Sequence, residues 1–242
     1  MAFATVTRTS QVFNDINATS WTITLPAVTS GQLILVFAGL ESGDFEDVVG
    51  WTEIFISKEN DGVFSIFAKV SDGTESSLLL TGSSDGQGPE STLVAITYVV
   101  SSWGGTLATD IDYVVARGLS NTPASVSVTA GWGAADNLVL SFCGAADDGV
   151  AFTAFPSGYT NTFQLSTSVS RDDGVEAAAC ELEVTTASAT AGTYSLPETE
   201  AWGVALLIIK PGTSGATGPN TPINPSITDL LATSARLNWE QG

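Results

Sequence analysis

The sequence predicts an all-β protein built from antiparallel sandwich units, and three of its features lead to this fold class. Apolar residues recur with a period of two, or in short solid runs rich in β-branched and aromatic side chains. Clusters of Gly, Asp, Ser and Asn separate these runs, as turns between strands do. Helical spacing never persists for more than a turn or two, so the sequence predicts no long helix.

Two kinds of strand are expected. The runs LILVFAG (33–39) and GVALLIIK (203–210) are apolar throughout, which is typical of strands covered on both faces, whereas Trp21 to Leu25 alternates as a half-exposed strand does. This mixture favours a sandwich. The predicted strands of the first half are 5–13, 21–25, 33–38, 51–57, 63–70, 77–80 and 92–100. Those of the second half are 111–116, 124–128, 138–143, 160–165, 178–184 and 202–210.

The two halves of the chain resemble each other. Leu33 to Gly39 matches Leu138 to Gly144 at an offset of 105, with four of seven residues identical. Gly50-Trp51-Thr52 then matches Gly158-Tyr159-Thr160 at an offset of 108. The same order of matches in both halves indicates a duplication.

A third match, Val94 to Ile96 with Val204 to Leu206, closes each copy. We therefore expect two tandem, duplicated antiparallel β-sandwich units of jelly-roll or immunoglobulin-like type, at residues 1–118 and 119–211. The sequence leaves open whether the units fold separately or form one broad sandwich.

The charge balance excludes one class of partner. Of 242 residues 26 are acidic and seven are basic, which gives a net charge of −19. Such a surface repels phosphate backbones, so no nucleic-acid partner is expected. Charged residues make up only 14% of the chain and apolar residues 43%, which indicates a folded, anionic protein.

The chain contains no histidine. Triads of the Ser-His-Asp and Cys-His kinds are therefore excluded, and the sequence predicts no enzyme, no catalytic residue and no cofactor. The two cysteines, Cys143 and Cys180, lie in apolar runs without a close Cys partner. This pattern favours free, buried thiols, with a disulfide between the two as the alternative.

Clustered carboxylates suggest two possible functions, calcium binding in loops and catalysis by a pair of carboxylates. Their spacing matches no calcium loop, so we expect solvated acidic loops and no metal site. A polysaccharide hydrolase that uses two carboxylates is a remote alternative, because no spacing singles out a pair. The clustered residues are Glu41, Asp44, Glu46 and Asp47, and then Asp147, Asp148, Asp172 and Asp173.

Tryptophans beside glycines suggest a second function. Trp51, Trp103 and Trp132 lie next to glycines in expected loops, where a sugar ring stacks on an exposed indole. Trp51 and Trp132 are the candidate ligand-stacking residues of a carbohydrate-binding adhesin. The alternative is that both are half-buried packing residues.

The ends of the sequence carry further expectations. The N-terminal MAFATVTRTSQ has no basic start before an apolar core. We therefore expect neither a signal peptide nor a membrane span, and we expect synthesis in a host cytoplasm. Residues 212–221 have the Gly, Pro, Ser and Thr composition of a linker. Residues 222–242, with a proline-led strand and then Leu237-Asn238-Trp239, resemble the first two strands of a fibronectin type III domain cut short.

Duplicated sandwich units, a linker and a fibronectin-like start together resemble virion proteins of tailed bacteriophages, of the capsid decoration or tail-fibre type. The resemblance implies a non-enzymatic structural component displayed on the virion surface, which docks through apolar strand edges onto other virion proteins. It also implies a homo-oligomer or symmetric array and possible contact with host surface glycans during attachment, without membrane insertion.

Overall fold

The computed structural model describes residues 2–14, 18–59, 62–83, 92–147, 151–167 and 174–212. Over these residues the chain forms fifteen strands and one short helix. In the first half the strands are β1 (Thr5–Phe13), β2 (Ser20–Thr24), β3 (Leu33–Leu40), β4 (Asp44–Phe45), β5 (Thr52–Glu59), β6 (Gly62–Val70), β7 (Ser77–Ser83) and β8 (Leu93–Ser101). After α1 (Leu107–Asp110) follow β9 (Ile111–Ser120), β10 (Ser127–Thr129), β11 (Asn137–Asp147), β12 (Thr160–Ser166), β13 (Gly174–Val184), β14 (Ser188–Thr190) and β15 (Glu200–Ile209).

The strands form four antiparallel sheets. Two five-stranded sheets have the orders β1-β8-β3-β6-β5 and β12-β13-β11-β15-β9, and smaller sheets have the orders β2-β7-β4 and β10-β14. The predicted all-β antiparallel class is therefore confirmed. Every predicted strand overlaps an observed one, whereas β4 and β14, with two and three residues, were not predicted because so short a segment shows no period.

The sheets stack in four layers around three apolar cores. The two five-stranded sheets face each other across the central core, where β3 contacts β11 and β8 contacts β13. The three-stranded sheet covers the outer face of the first central sheet, and the two-stranded sheet covers that of the second. Strands β3 and β15 are accordingly buried at every position, which explains their solid apolar runs.

Aromatic side chains fill the middle of the central core. The rings of Phe37 and Phe142 stack with centroids 5.4 Å apart, and Tyr98 meets Phe142 edge-on at 5.5 Å. Phe64 stacks on Phe37 at 6.4 Å and lies directly over Gly144. A Cβ atom on Gly144 would lie 2.1 Å from the Phe64 ring, so only glycine permits this approach of the two sheets.

The two halves have the same strand order. Strands β1, β8, β3, β6 and β5 of the first correspond in sequence and place to β9, β15, β11, β13 and β12 of the second. Because β5 lies against β9 and β1 against β12, equivalent strands face each other in reverse order, as in an approximate two-fold arrangement. Gly50 and Gly158, paired by sequence, share a left-handed φ of 81° and 87°. A common strand order is what a duplication produces.

The third sequence match is wrong by one residue. Leu33 pairs with Val100 and its equivalent Leu138 pairs with Ile209, so β8 and β15 correspond at an offset of 109 instead of 110. Ile96 therefore corresponds to Ala205, and both belong to the central core. The sequence match aligned Ile96 with Leu206, which faces the outer core, because a slip of one residue in a strand reverses the face.

The connection between the halves lies before residue 111. The predicted boundary between residues 118 and 119 falls inside β9, which pairs with β15 along its whole length. The division between the central sheets thus falls at residues 102–110, around α1. There the Asp110 carboxylate accepts hydrogen bonds from Lys210 Nζ (2.9 Å) and from the Thr106 amide (3.0 Å), which ties the start of β9 to the end of β15. The linker after Gly212 and the fibronectin-like segment 222–242 lie outside the described residues.

The close contact at Gly144 yields a stability prediction. Gly144→Ala should lower the free energy of unfolding by about 1 to 3 kcal/mol, because the added methyl group overlaps the buried Phe64 ring. Gly131→Ala is the matched control, since its Cβ would meet nothing closer than Asp112 Oδ2 at 3.4 Å. Urea unfolding measures both variants. Equal losses for the two would contradict the described contact between the sheets.

Candidate functional site

The two candidate stacking residues lie far apart. Trp51 is half-buried against the outer core of the first half, and Lys69 Nζ lies 5.9 Å from the centre of its ring. Trp132 is half-buried against the outer core of the second half, and its Nε1 donates to Asn137 Oδ1 at 2.9 Å. These cores lie on opposite sides of the central sandwich, so the structure does not bring the two indoles together. Trp103 is buried and donates to the Gly31 carbonyl.

Three of the four residues of the first acidic cluster are engaged within the fold, and Asp47 is exposed. Glu41 is buried, Asp44 Oδ2 forms an ion pair with Lys58 Nζ at 2.9 Å, and Glu46 accepts a hydrogen bond from Thr81 Oγ1. Of the second cluster, the structure describes only the backbone of Asp147, and Asp148, Asp172 and Asp173 lie outside the described residues. In the part of the chain that is described, no three His, Cys, Asp or Glu residues are grouped so as to hold a metal ion.

The two thiols are free and buried, as the sequence favoured. Burial raises the pKa of Cys180 to about 11 and that of Cys143 well above its usual value. Tyr194, whose pKa burial also raises, lies 3.4 Å from the Cys180 sulfur and donates to Ser141 Oγ at 3.0 Å. Because only the thiolate is a nucleophile, these thiols act as apolar core residues at neutral pH.

Two grooves run along the edges where the central sheets meet. The first, of about 370 Å³, lies between β5 and β9, and the second, of about 420 Å³, lies between β1 and β12. They occupy equivalent places, since Thr52 in the first corresponds to Thr160 in the second. The first is lined by Thr52, Glu53, Ile54, Ala68, Leu107, Ala108, Ile111, Asp112 and Tyr113. The second is lined by Ala4, Thr5, Val6, Leu138, Thr160, Asn161, Glu181, Leu182 and Glu183.

A cluster around Arg8 holds the second edge together. Arg8 Nη1 donates to the Asn161 carbonyl (2.6 Å) and to Tyr98 Oη (3.3 Å), and its Cζ lies 4.6 Å from the centre of the Phe163 ring. Glu181 Oε2 accepts from Asn161 Nδ2 at 2.7 Å, and its Oε1 lies 3.8 Å from Arg8. Asn161 has a left-handed φ of 50°. Burial raises the pKa of Tyr98 above its usual value, although the contacts with Arg8 lower it in part. The phenol therefore stays protonated at neutral pH.

The first edge instead exposes apolar side chains. Tyr113 is 52% exposed and Leu119 is 58% exposed, and both belong to the edge strand β9. They lie six residues apart and so on one side of the strand, the side on which Val115 packs against the central core. Sequence reasoning missed Leu119 because the predicted strand ended at Ala116. It missed Tyr113 because the exposure of this side chain comes from the position of β9 at the sheet edge. The exposed large apolar side chains among the described residues are Val12, Val49, Leu79, Tyr113 and Leu119.

A carboxylate that the sequence did not single out organises the loop between β6 and β7. Glu75 accepts hydrogen bonds from Ser71 Oγ (2.6 Å) and the Asp72 amide (3.1 Å), and forms an ion pair with Lys69 Nζ (2.9 Å). Burial alone would raise the pKa of Glu75, but these contacts outweigh it and hold that pKa well below its usual value of 4.5. Glu75 therefore stabilises the fold as a carboxylate.

The Arg8 cluster predicts an energetic coupling across the second edge. Arg8→Met should cost about 1 to 3 kcal/mol of stability, because it leaves the Glu181 carboxylate without its cation. Adding Glu181→Gln should recover part of the loss, as a double-mutant cycle in urea would measure. Arg117→Met, at the exposed first edge, is the control with a smaller cost. Strictly additive losses would contradict the coupling.

Glu75 predicts a dependence of stability on pH. Since its pKa is lower in the folded than in the unfolded chain, its contribution is fully present above about pH 4.5 and is lost as the pH falls further. Glu75→Gln should therefore destabilise the protein at pH 7, and the difference from wild type should shrink below pH 4.5. Urea midpoints across this range measure it, with the exposed Asp47→Asn as control. A difference independent of pH would refute the role of the charge.

Comparisons with protein-family models, curated proteins and solved structures find no match for this chain. The only helix in the described part of the chain, α1, has four residues and is far too short to cross a membrane. Evidence about function therefore comes from the fold and the two sheet edges.

Proposed function

We propose that this chain is a non-enzymatic structural component of a bacteriophage particle, displayed on the virion surface as a capsid decoration or tail-fibre protein. It contacts other virion proteins through its surface and aids attachment to the host. One observation carries the proposal: the interior is packed with apolar side chains, and the first groove lies beside the edge strand β9, whose free backbone groups offer a partner strand a place to pair.

The buried polar groups support this function because they connect strands. Asp110 joins the two ends of the second half, and Glu181 joins β13 to β12 and β1. The thiols of Cys143 and Cys180 stay protonated in an apolar core. Each of these groups contributes to holding a rigid shape, which is the property a displayed module needs.

The charge of the chain agrees with a displayed role. A net charge of −19 keeps copies on a crowded surface dispersed and favours contact with basic patches of a lattice. The carbohydrate-binding adhesin remains the alternative. Trp51 and Trp132 lie on opposite sides of the sandwich, so each would bind a sugar singly, and no particular contact favours that function over the structural one.

The proposal is tested on particles purified from a culture that makes the protein. Mass spectrometry should find the chain in the density-purified virion fraction at a copy number comparable with other structural proteins, and gold-labelled antibodies should place it on the particle exterior. Matched samples of the cleared lysate are the control. Presence in the lysate together with absence from the virion would refute the function.

A further inference from the structure

The central sandwich has four edge strands, and three of them carry features that hinder pairing with another strand. Strands β5 and β12 each contain a register shift, which bends an edge away from partners. The exposed side chains of β1 are mostly polar, and the Gln11 side chain forms hydrogen bonds with both the amide and the carbonyl of Thr24 in the neighbouring β2. The fourth edge, β9, differs from all of them.

Strand β9 is long, regular and partly apolar. All ten residues from Ile111 to Ser120 pair with β15 without a register shift. It contains neither lysine nor proline, the residues that commonly protect an edge. Tyr113 and Leu119 are both more than half exposed on the same side of the strand, and Tyr113 lines the groove against β5.

From this edge we infer that two copies of the chain pair through β9 in an antiparallel, two-fold arrangement centred on Ala116. In this register Tyr113 of one copy lies opposite Leu119 of the other, so the two exposed apolar side chains of β9 cover each other. Val115 lies opposite Arg117, and Asp112 opposite Ser120. The two second-half sheets then form one continuous sheet across both copies.

The strand is self-complementary in this register. Each dimer gains two aromatic–aliphatic pairs of Tyr113 with Leu119, a favourable cross-strand combination. The only charged residues on β9 are Asp112 and Arg117, which the register places opposite Ser120 and Val115, so no like charges lie directly opposite each other. Backbone hydrogen bonds of the added strand supply the rest of the affinity. The biological role of this dimer rests on the proposed structural function, whereas the pairing itself is a property of the purified chain.

The experiment introduces opposite charges at the two positions of the proposed pair. Sedimentation velocity of the purified full chain, at about 1 to 100 µM, should show a dimer that grows with concentration. Tyr113→Lys and Leu119→Glu should each weaken dimerisation about tenfold or more, since each puts a charge opposite an apolar side chain twice per dimer. The double variant should restore the dimer, because Lys at 113 then faces Glu at 119. Leu79→Lys, on the equally exposed β7, is the control and should change nothing.

Each result decides the inference. A wild-type chain that stays monomeric over this range would overturn it, as would a dimer that neither single variant weakens. Loss in both single variants without recovery in the double variant would overturn the register centred on Ala116. Circular dichroism verifies that each variant is folded. A monomer that is nevertheless found on virions would refute the β9 dimer alone and leave the proposed function standing.

Discussion

The structure depends on the contact between the two central sheets at Phe37, Phe142 and Phe64. The first two are equivalent residues of the two halves, and their rings stack on each other with centroids 5.4 Å apart. Phe64 fits beside them only because Gly144 has no side chain. Facing sheets usually lie about 10 Å apart with interdigitating side chains, and here aromatic rings fill that space. The stack therefore fixes both the spacing and the relative position of the halves.

This arrangement determines which edges become available. When equivalent strands face each other in reverse order, β1 meets β12 and β5 meets β9, so each edge of the sandwich combines one strand type from each half. The halves then diverge in sequence at these edges. At one edge the Arg8 and Glu181 cluster links β1 to β12 and β13, and at the other edge Tyr113 and Leu119 are exposed. The repeated fold thus supports two chemically different edges.

Much of the fold could be predicted because strands leave local signals. Solid apolar runs identified β3 and β15 as buried on both faces, and the two glycines matched by sequence, Gly50 and Gly158, both have a positive φ. The layer order could not be predicted, since it depends on which apolar face meets which. The Arg8 cluster was equally hidden, because Arg8 and Asn161 are 153 residues apart in the chain.

The candidate site was harder to predict than the fold, for a physical reason. Tryptophans and acidic residues attract attention by type, yet Trp51 and Trp132 pack against separate cores, and Asp44 is engaged with Lys58. The β9 edge carries no unusual residue type. What distinguishes this edge is the exposure of Tyr113 and Leu119. That exposure arises because β9 lies at the end of a sheet, and no local sequence pattern indicates it.

Charge and edge chemistry act at different distances, which allows one surface to serve both dispersal and contact. At physiological ionic strength the repulsion between anionic copies is screened over about 8 Å. Backbone hydrogen bonds and apolar contacts act only within a few ångströms, once strands are aligned. A net charge of −19 therefore opposes random encounters of exposed apolar side chains such as Leu79, whereas the proposed β9 pairing would supply short-range contacts along the whole strand. Specificity then resides in the pattern along the strand.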